Sequence, residues 1–495
     1  MIQKKFNLKE EFKKIVKKNG NKIAINYGNE KIYDFNFLND QSNKLLLIFK
    51  KLKIKKNDII AIDSEKNINS YILIIACIKN NNPYSFIDIS DNNFRLKKIF
   101  EILKPKIIFT FKKKIKKNQN ECILKKDLSY KLIINNKLLN RKREKNKNIV
   151  YIMFTSGSTG DPKGVPITHY NLSFFIPWVK KTFKINEKSI ISNLNPLHFD
   201  NSIFDIYGGL FNGATIVPFE KQEILYPKDL INKINNNKCD TWFSVPSLLN
   251  YILELNTHKL FKGIKVKKLI FGGERFPING VKKIFPHLKK VKIFNVSGPT
   301  ECTCMCSAKL IEKKELFTSK NLSIGKINNY FKYSILKNNK PSNIGELVLK
   351  GPAVASGYFN DNILSKKKFF KKKYFGYYTG DIVHRLKNGE LKILGRVDNQ
   401  VKLMGHRIEL EEIENMIIEI FNIKDCLIKL IKKTTYLKQE LTLFVLKKEK
   451  NKFINFYDKV EKKLPTYAIP KKIKFIDDFK YNVNGKVDRN FYSFK

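Results

Sequence analysis

The segment from Thr155 to Gly164 combines the residue types that bind phosphate groups. It reads TSGSTGDPKG and follows an apolar run, 149–154, that predicts a buried strand. Glycines let the backbone approach an anion closely, and the hydroxyls and Lys163 can donate to phosphate oxygens. The spacing does not match the G-x-x-x-x-G-K-[ST] phosphate loop. A flexible turn accounts only for the glycines, so the pattern favours an anion site.

Three cysteines, Cys302, Cys304 and Cys306, are the closest group of metal-type ligands. Alternation predicts a strand that carries all three on one buried face, which is poor geometry for tetrahedral zinc without a distant fourth ligand. Seven cysteines in 495 residues are too few for a disulfide framework and indicate a reducing compartment. The charged N-terminal segment lacks the apolar core of a signal peptide. We therefore predict a cytoplasmic protein with no membrane insertion.

The positive charge of the chain has a compositional explanation. Lys and Arg total 96 against 45 acidic residues, a net charge of +51, which is typical of proteins that bind nucleic acid or anionic membranes. Only eight of the 96 are arginine, the residue favoured for bidentate recognition of phosphates and bases. Abundant Lys, Asn, Ile and Phe indicate A/T-rich codons. We expect no nucleic-acid partner, and a basic nucleic-acid-binding protein stays open as the alternative from a different class.

Helices and strands alternate before and after the phosphate-type loop. The runs are helical over 38–52 and 70–79 and strand-like over 58–62, 83–89 and 149–154. This alternation predicts an α/β fold with parallel-rich sheets. The stretch 111–149 is rich in Lys and Asn and predicts a mobile surface connection. Beyond a charged turn at 396–399, a helix over 409–421 and a short α+β tail predict a second, smaller domain.

The phosphate-type loop is the first of six motifs that resemble the adenylate-forming superfamily, which includes acyl-CoA synthetases, luciferases and amino-acid adenylation domains. The motifs follow the family's order: YIMFTSGSTGDPKGVPITHYNL (151–172), NVSGPTE (295–301), GELVLKGPAVASGY (345–358), YYTGD (377–381), GRVDNQVKLMGHRIELEEIE (395–414) and NVNGKVDR (482–489). LHFDNSIFDIYGGL (197–210) and NGKVDR are most similar to stand-alone amino-acid adenylation enzymes such as D-alanine:carrier-protein ligases. The resemblance extends from about residue 20 to 490.

The resemblance implies that a carboxylate is activated with ATP and Mg²⁺, that pyrophosphate leaves, and that a thiol captures the acyl group. Such a reaction needs charge neutralisation and in-line positioning more than acid–base catalysis. The implied catalytic residues are Lys163, Thr300, Glu301 and Lys486. Thr300 would contact the α-phosphate and Glu301 would hold magnesium, for which a hard carboxylate ligand is suited.

The resemblance also implies an ATP-binding set: Thr155, Ser156, Gly157, Ser158, Thr159, Gly160, Lys163, Asn295, Val296, Ser297, Gly298, Pro299, Thr300, Asp381, Arg396 and Lys486. Asp381 would accept the ribose hydroxyls with help from Arg396, although an Asp in a glycine turn is usually a turn former. The family commonly has Tyr at the position of Ser297, where the ring stacks on adenine. Nucleotide binding is then expected to be weaker by on the order of 1 kcal/mol, unless another side chain supplies a stacking face.

Asp200 decides the class of acyl substrate that the resemblance implies. In amino-acid-activating relatives an Asp at this position pairs with the substrate ammonium, whereas a buried unpaired carboxylate would be costly for fatty- or aryl-acid activators. The alternative is a helix N-cap ahead of 202–207. Where D-alanine ligases often have Cys, this chain has Gly272. The implied substrate-binding set is Asp200, Asn201, Phe204, Ser244, Gly272, Val296, Cys304, Met305 and Lys486.

The C-terminal motifs imply a mobile lid. The fold expected is a large multi-subdomain N-terminal core over 1–397 and a small α+β lid over 398–495, with Asp398 as the hinge. In one arrangement Lys486 would reach the carboxylate and the adenylate oxygens, and in the other a tunnel would open for the thiol. The implied function is adenylation of a small amino acid and transfer to the phosphopantetheine of a carrier protein in trans. An acyl- or aryl-CoA ligase of the same fold is the alternative.

Overall fold

The computed structural model describes residues 6–28, 31–91, 93–111, 120–133, 148–155, 162–318, 322–432, 439–481, 487 and 489. The α-helices are α1 (Leu8–Asn19), α2 (Phe35–Lys51), α3 (Ile68–Asn80), α4 (Asn93–Leu103), α5 (His169–Phe183), α6 (Lys221–Leu225), α7 (Pro227–Asn236), α8 (Pro246–Glu254), α9 (Ile278–Ile284), α10 (Lys313–Thr318), α11 (Asn362–Lys368), α12 (Leu410–Phe421) and α13 (Phe456–Val460).

The strands before the second half of the chain are β1 (Ile23–Asn26), β2 (Ile32–Asp34), β3 (Ile60–Asp63), β4 (Tyr84–Ile87), β5 (Ile107–Thr110), β6 (Glu121–Leu124), β7 (Tyr130–Ile133), β8 (Ile149–Thr155), β9 (Lys163–Thr168), β10 (Ile190–Asn193), β11 (Thr215–Pro218) and β12 (Thr241–Ser244). The remaining strands are β13 (Lys268–Gly272), β14 (Lys292–Ser297), β15 (Ser307–Leu310), β16 (Lys326–Ile327), β17 (Lys332–Lys337), β18 (Lys340–Pro341), β19 (Ile344–Lys350), β20 (Phe369–Lys371), β21 (Phe375–Arg385), β22 (Leu391–Arg396), β23 (Gln400–Leu403), β24 (His406–Glu409), β25 (Leu427–Lys432), β26 (Gln439–Leu446) and β27 (Lys472–Ile476).

Two large sheets with parallel centres dominate the part of the chain that the structure describes. One has the order β16-β15-β14-β13-β12-β10-β11-β1-β2 and the other β7-β6-β5-β3-β4-β8-β9. Their central pairings are parallel, and antiparallel pairs such as β14–β15 and β8–β9 close the edges. The expected parallel-rich α/β fold is confirmed. Apolar strands and helix α3, which is buried from Ile68 to Ile78, lie in one core shared by both sheets, as strands covered on both faces require.

Smaller sheets complete the chain. An antiparallel sheet runs β18-β17-β19-β21-β20 with β22 beside β21, β23 and β24 form a hairpin, and β25-β26-β27 packs with α12 around a separate core. The predicted helices at 38–52 and 70–79 are confirmed as α2 and α3. The prediction of a mobile surface connection over 111–149 is wrong for 120–133, which forms β6 and β7 and continues the second large sheet.

A buried π-helical turn, Phe204–Gly209, follows the segment that contains Asp200. Asp205 accepts a hydrogen bond from Asn193 Nδ2 at 2.7 Å, and the buried Lys66 ammonium donates to three main-chain carbonyls, including that of Asn193. Burial lowers the pKa of Lys66 and raises that of Asp205. This network fixes the segment against the end of β10. π-Turns of this kind are frequent at functional sites.

Gly208 should tolerate no side chain, because a Cβ there would lie 2.8 Å from Val179 Cγ1. Gly208→Ala should lower the free energy of unfolding by roughly 1–3 kcal/mol, the usual cost of overpacking a core. The matched control is Gly263→Ala, since a Cβ at Gly263 has no heavy atom within 4 Å. Denaturant unfolding of both variants measures the difference. Equal stability of the two would contradict the packing described.

Candidate active site

A large cavity lies where four parallel strands end. β10, β12, β13 and β14 pair in parallel and finish at Asn193, Ser244, Gly272 and Ser297. The loops that follow them line a cavity of about 1180 Å³. Open α/β sheets bind ligands outside the carboxyl ends of their strands, so the fold places the cavity where a ligand is expected.

Asp200 and Thr300 lie side by side in the wall of this cavity. Thr300 Oγ1 donates to Asp200 Oδ2 at 2.5 Å. The main-chain carbonyl of Asp200 accepts from Ile203 N, but its carboxylate points to Thr300, so the N-cap alternative does not describe the observed hydrogen bond. Burial raises the pKa of Asp200, while the Thr300 hydroxyl and nearby cations oppose the shift. An enclosed carboxylate with one hydroxyl partner is suited to a cationic ligand.

The predicted substrate residues divide into lining residues and residues behind the wall. Asn201, Val296, Cys304 and Met305 join Asp200 in lining the cavity. Phe204, Ser244 and Gly272 lie behind it: Phe204 packs against aromatic rings and the Ser244 hydroxyl accepts from Trp242 Nε1.

Gly272 does not enlarge the cavity, because Val296 fills the space beside it. A Cβ at Gly272 would lie 2.4 Å from Val296 Cγ2 and 2.5 Å from Val296 O. Only glycine fits there while Val296 keeps its position. The wall next to Asp200 is therefore formed by the Val296 side chain.

The strand predicted for the three cysteines is wrong. Thr300–Cys302 is a 3₁₀ turn, and Thr303 and Cys304 have φ of +57° and +72°, so β15 begins only at Ser307. Thr303 Oγ1 donates to the Ala353 carbonyl, and this tertiary contact accompanies a backbone that the local sequence disfavours. All three cysteines are buried, as predicted. Among the described residues no group of three or more His, Cys, Asp or Glu is placed to hold a metal ion.

Glu301 is a fully buried carboxylate. Arg407 Nη1 donates to its two oxygens at 3.0 and 2.9 Å, and Tyr358 Oη donates at 2.8 Å. Burial by itself would raise the pKa of Glu301, but the Arg407 charge and the hydrogen bonds lower it to about 2. The group predicted to hold magnesium is thus an ionised hard ligand, and a guanidinium is its partner in this structure.

Arg396 joins Asp381 to the predicted hinge residue. Its Nη1 donates to Asp381 Oδ1 at 2.6 Å, and its Nε and Nη2 donate to Asp398 at 2.6 and 2.8 Å. Desolvation opposes the shift, but the Arg396 charge and hydrogen bonds lower the pKa of Asp398. A Cβ at Gly380, where φ is +75°, would lie 2.6 Å from Arg396 Nη2, so only glycine permits this close approach.

The family model described as AMP-binding enzyme matches residues 12–359. This chain belongs to the AMP-binding enzyme family. The predicted resemblance is confirmed, and the chain is an ATP-using, adenylate-forming enzyme of the AMP-forming acid–thiol ligase class.

Individual known proteins are similar to this chain in sequence or in fold. The chain is 32% identical over 349 residues to a D-alanine--D-alanyl carrier protein ligase of Bacillus cytotoxicus, covering 68% of this chain and 69% of that protein. The structure resembles the Vibrio cholerae adenylation domain AlmE solved with glycyl-adenosine-5'-phosphate, with a TM-score of 0.80, 20% identity, and coverage of 98% of this chain and 97% of that one. It also resembles holo-PA1221, an NRPS protein containing adenylation and PCP domains, with a TM-score of 0.83, 20% identity, and coverage of 98% and 83%. The structural likenesses confirm the fold.

The nucleotide site of this AMP-binding enzyme fits ATP at the residues that the structure describes. The hydroxyl of Thr155, at the end of β8, is buried and finds no partner among the described residues, as expected of a group that donates to a ligand phosphate. Lys163 is 6% exposed, and burial lowers the pKa of its ammonium. Ser156 to Gly160 lie outside the described residues.

The cavity wall has no aromatic ring at position 297. Asn295, Ser297, Gly298 and Pro299, which the resemblance assigns to ATP binding, line the cavity, and Asn295 Nδ2 donates to the Ser323 carbonyl. The same stretch of wall includes the aliphatic side chains of Leu322, Ile324 and Ile393. If the base binds where the resemblance implies, Ser297 offers it no aromatic face.

The β23–β24 hairpin supplies residues that the sequence analysis did not assign. Glu274 accepts from Gly405 N, the His406 ring packs edge-on against Phe199, and Arg407 reaches Glu301. Lys402 also lines the cavity, and burial lowers its pKa, with Asp381 opposing. These hairpin residues belong to the motif 395–414. Only Arg396 and Asp398 among its charged residues were assigned roles from the sequence.

Lys486 lies outside the described residues. Its described neighbours are anchored on the C-terminal core: Tyr481 and Val487 form a β-bridge, and Arg489 pairs with Glu414. Its predicted role stays a prediction. Within the described ranges, no helix is long and apolar enough to cross a membrane.

Ser297→Tyr should strengthen AMP binding about 2- to 10-fold, because a ring stacked on adenine contributes about 0.5–1.5 kcal/mol. Ser297→Ala is the control and should leave affinity near the wild-type value, since it removes only a hydroxyl. Isothermal titration calorimetry with AMP measures both dissociation constants. A Tyr variant that binds AMP no better than the Ala variant would exclude a stacking position at 297.

Proposed function

We propose that this enzyme adenylates a small, D-alanine-like amino acid and transfers it to the phosphopantetheine thiol of a separate carrier protein. The observation that carries the proposal is Asp200, an enclosed carboxylate whose described side-chain partner is the Thr300 hydroxyl. A substrate ammonium would complete the pair, whereas an acid without one would leave the charge unpaired. The name of the Bacillus cytotoxicus relative, a D-alanine--D-alanyl carrier protein ligase, supports the same substrate class.

The wall beside Asp200 supports the proposal of a small substrate. Val296 occupies the space over Gly272, and Cys304 and Met305 line the adjoining surface with 4% and 2% exposure. We expect these packed side chains to favour a short substrate side chain near the Asp200 carboxylate. A small amino acid fits this arrangement better than an aryl or fatty acid.

Each chemical task of the proposed reaction has a group in the chain. Thr155 and Lys163 would hold the leaving phosphates, Thr300 would contact the α-phosphate, and Asp381 would accept the ribose hydroxyls. Mg²⁺, held by Glu301, would neutralise phosphate charge. Because Glu301 pairs with Arg407 in this structure, Arg407 must withdraw before Glu301 can bind a metal.

The same proposal assigns separate roles to two domains. Residues 1–397 form the adenylation core and 398–495 the lid, with Asp398 as hinge. β22 ends at Arg396 and β23 begins at Gln400, so Asp398 lies in the short link between them. In this proposal the arrangement with β24 beside Glu301 serves thiol transfer, and a rotation of the lid would bring Lys486 to the carboxylate for adenylation.

The deciding experiment is amino-acid-dependent pyrophosphate exchange with amino acids of both hands, followed by thiol loading. A small amino acid should give the fastest exchange, and a phosphopantetheinylated carrier should be loaded in preference to CoA. Activation of aryl or fatty acids with no amino-acid exchange would overturn the proposal.

Asp200→Asn should lower amino-acid activation by a factor on the order of 10²–10³, since breaking a buried ion pair costs roughly 3–5 kcal/mol. The comparison is with the des-amino acid, propionate for alanine, which lacks the ammonium. Its activation should not fall in the variant. Exchange rates for both substrates measure the effect, and an equal loss with both would assign Asp200 a purely structural role.

Lys486→Ala should lower adenylate formation by a factor on the order of 10²–10³, the scale for one lost transition-state donor. The variant should still load carrier from chemically synthesised aminoacyl-adenylate at nearly the wild-type rate, because the lysine acts in the first step only. Single-turnover rates of the two half-reactions test this. Equal losses in both steps, with an unchanged circular dichroism spectrum, would contradict the role.

A further inference from the structure

The loop that carries Asp200 is closed at its base by a hydrogen bond. We call residues 193–205 the Asp200 loop; it begins at the end of β10 and ends within the π-helical turn. Asn193 Nδ2 donates to Asp205 Oδ2 at 2.7 Å, which joins the two ends of the loop. Inside the loop, Ser202 Oγ donates to two of its main-chain carbonyls. The position of the Asp200 carboxylate therefore depends on how the base of a compact loop is held.

A lysine from outside this sheet holds the base of the Asp200 loop. Lys66 lies between α3 and β3, a strand of the second large sheet. Its Nζ donates to the carbonyls of Asn193 and Leu194, at the end of β10, at 2.6 and 3.0 Å. It also donates to the Phe219 carbonyl, just after β11, at 2.9 Å. An ammonium has three hydrogens, so the lysine fixes main chain at the ends of two strands and keeps no donor for a ligand.

Two further contacts join the same two segments of the chain. Tyr71 Oη, on α3, donates to Asn193 Oδ1 at 2.9 Å. His198 Nδ1 and Ser64 Oγ lie 3.0 Å apart, at hydrogen-bonding distance. His198 is two residues before Asp200. The segment from β3 to α3 thus contacts the Asp200 loop both at its base and close to the carboxylate.

The second large sheet also carries the groups that the proposed function assigns to the leaving phosphates. β3 pairs with β4, β4 with β8 and β8 with β9, and Thr155 ends β8 while Lys163 begins β9. The amino-acid side and the phosphate side of the reaction are therefore held by different sheets. A misplacement of about 1 Å between reactants can cost on the order of 10²-fold in rate, so the two sheets must be fixed to each other at the site.

We propose that Lys66 is a positioning residue that fixes the Asp200 loop relative to the sheet that carries the phosphate-binding groups. The inference rests on the proposed function for the roles of Asp200, Thr155 and Lys163. Lys66 acts through the three carbonyls and not by contact with a substrate. Burial lowers the pKa of Lys66, and the Asp205 charge opposes that shift, so Asp205 helps to keep the ammonium charged inside the protein.

Lys66→Met should raise the KM for the amino acid at least ~10-fold and keep the KM for ATP within about 2-fold of the wild-type value, because loss of the donor leaves buried carbonyls unpaired and lets the Asp200 loop shift. Pyrophosphate exchange with glycine, D-alanine and L-alanine measures both constants. A purely structural role would reduce the amount of active enzyme, which lowers kcat and leaves both KM values unchanged.

The double variant Lys66→Met/Asp205→Asn separates position from stability. Lys66→Met leaves the Asp205 carboxylate without its cation, whereas removal of both charges should restore most of the lost Tm. The three carbonyls still lack their donor, so the amino-acid KM should stay raised. The matched control is Lys79→Met, since Lys79 Nζ donates to four oxygens of α2, outside the Asp200 loop. Both KM values of the control should equal those of the wild type.

Hydrogen–deuterium exchange with mass spectrometry gives a second measurement, which needs no substrate. The amides of 193–205 should exchange faster in Lys66→Met and in the double variant than in the wild type or in Lys79→Met. Unchanged protection of 193–205 in Lys66→Met, equal rises of the two KM values, or a wild-type amino-acid KM in the double variant would overturn the inference. Failure of the proposed function has a different signature, because the wild-type enzyme would then show no amino-acid-dependent pyrophosphate exchange.

Discussion

The hydrogen bond between Thr300 and Asp200 joins two loops that lie one hundred residues apart in the chain. It forms only because β10 and β14 end at the same edge of one sheet, with β12 and β13 between them. Parallel pairing brings these ends into line, and the buried network of Lys66 and Asp205 fixes the segment that follows β10. The order of the strands therefore creates the site. The residues that line it come from loops that are far apart in the sequence.

Much of the fold was predictable, because its signals are local. The sequence of α3 has the apolar pattern of a buried helix, and the run before the glycine-rich loop has the composition of a buried strand. The motifs identified the family. The cysteine segment was predicted wrongly since alternation alone favoured a strand. Thr303 and Cys304 instead adopt left-handed backbone that accompanies a contact with residue 353, and no local pattern encodes such a contact.

The candidate site was only partly predictable for a similar reason. Asp381 and Arg396 were assigned from their motifs and pair in the structure, and Asp398 proved to be the second partner of Arg396. Arg407 and Glu409 belong to the motif 395–414, but no role could be assigned to them from the sequence. Their partners, Glu301 and Lys163, lie more than a hundred residues away in the chain. A motif suggests the role of a residue, but it does not show which distant charged group that residue pairs with. That information appears once the hairpin is placed against the core.

The burial of every cysteine has a consequence for an enzyme that makes acyl-adenylates, which are electrophiles. Cys304 lines the cavity, with Cys302 and Cys306 close behind it. Burial raises the thiol pKa of all three, and a thiol is a poor nucleophile until it is ionised. These three thiols are therefore poor nucleophiles toward an acyl-adenylate bound beside them, which protects the enzyme's own cysteines from acylation. An acceptor thiol from outside meets no competitor within the cavity wall.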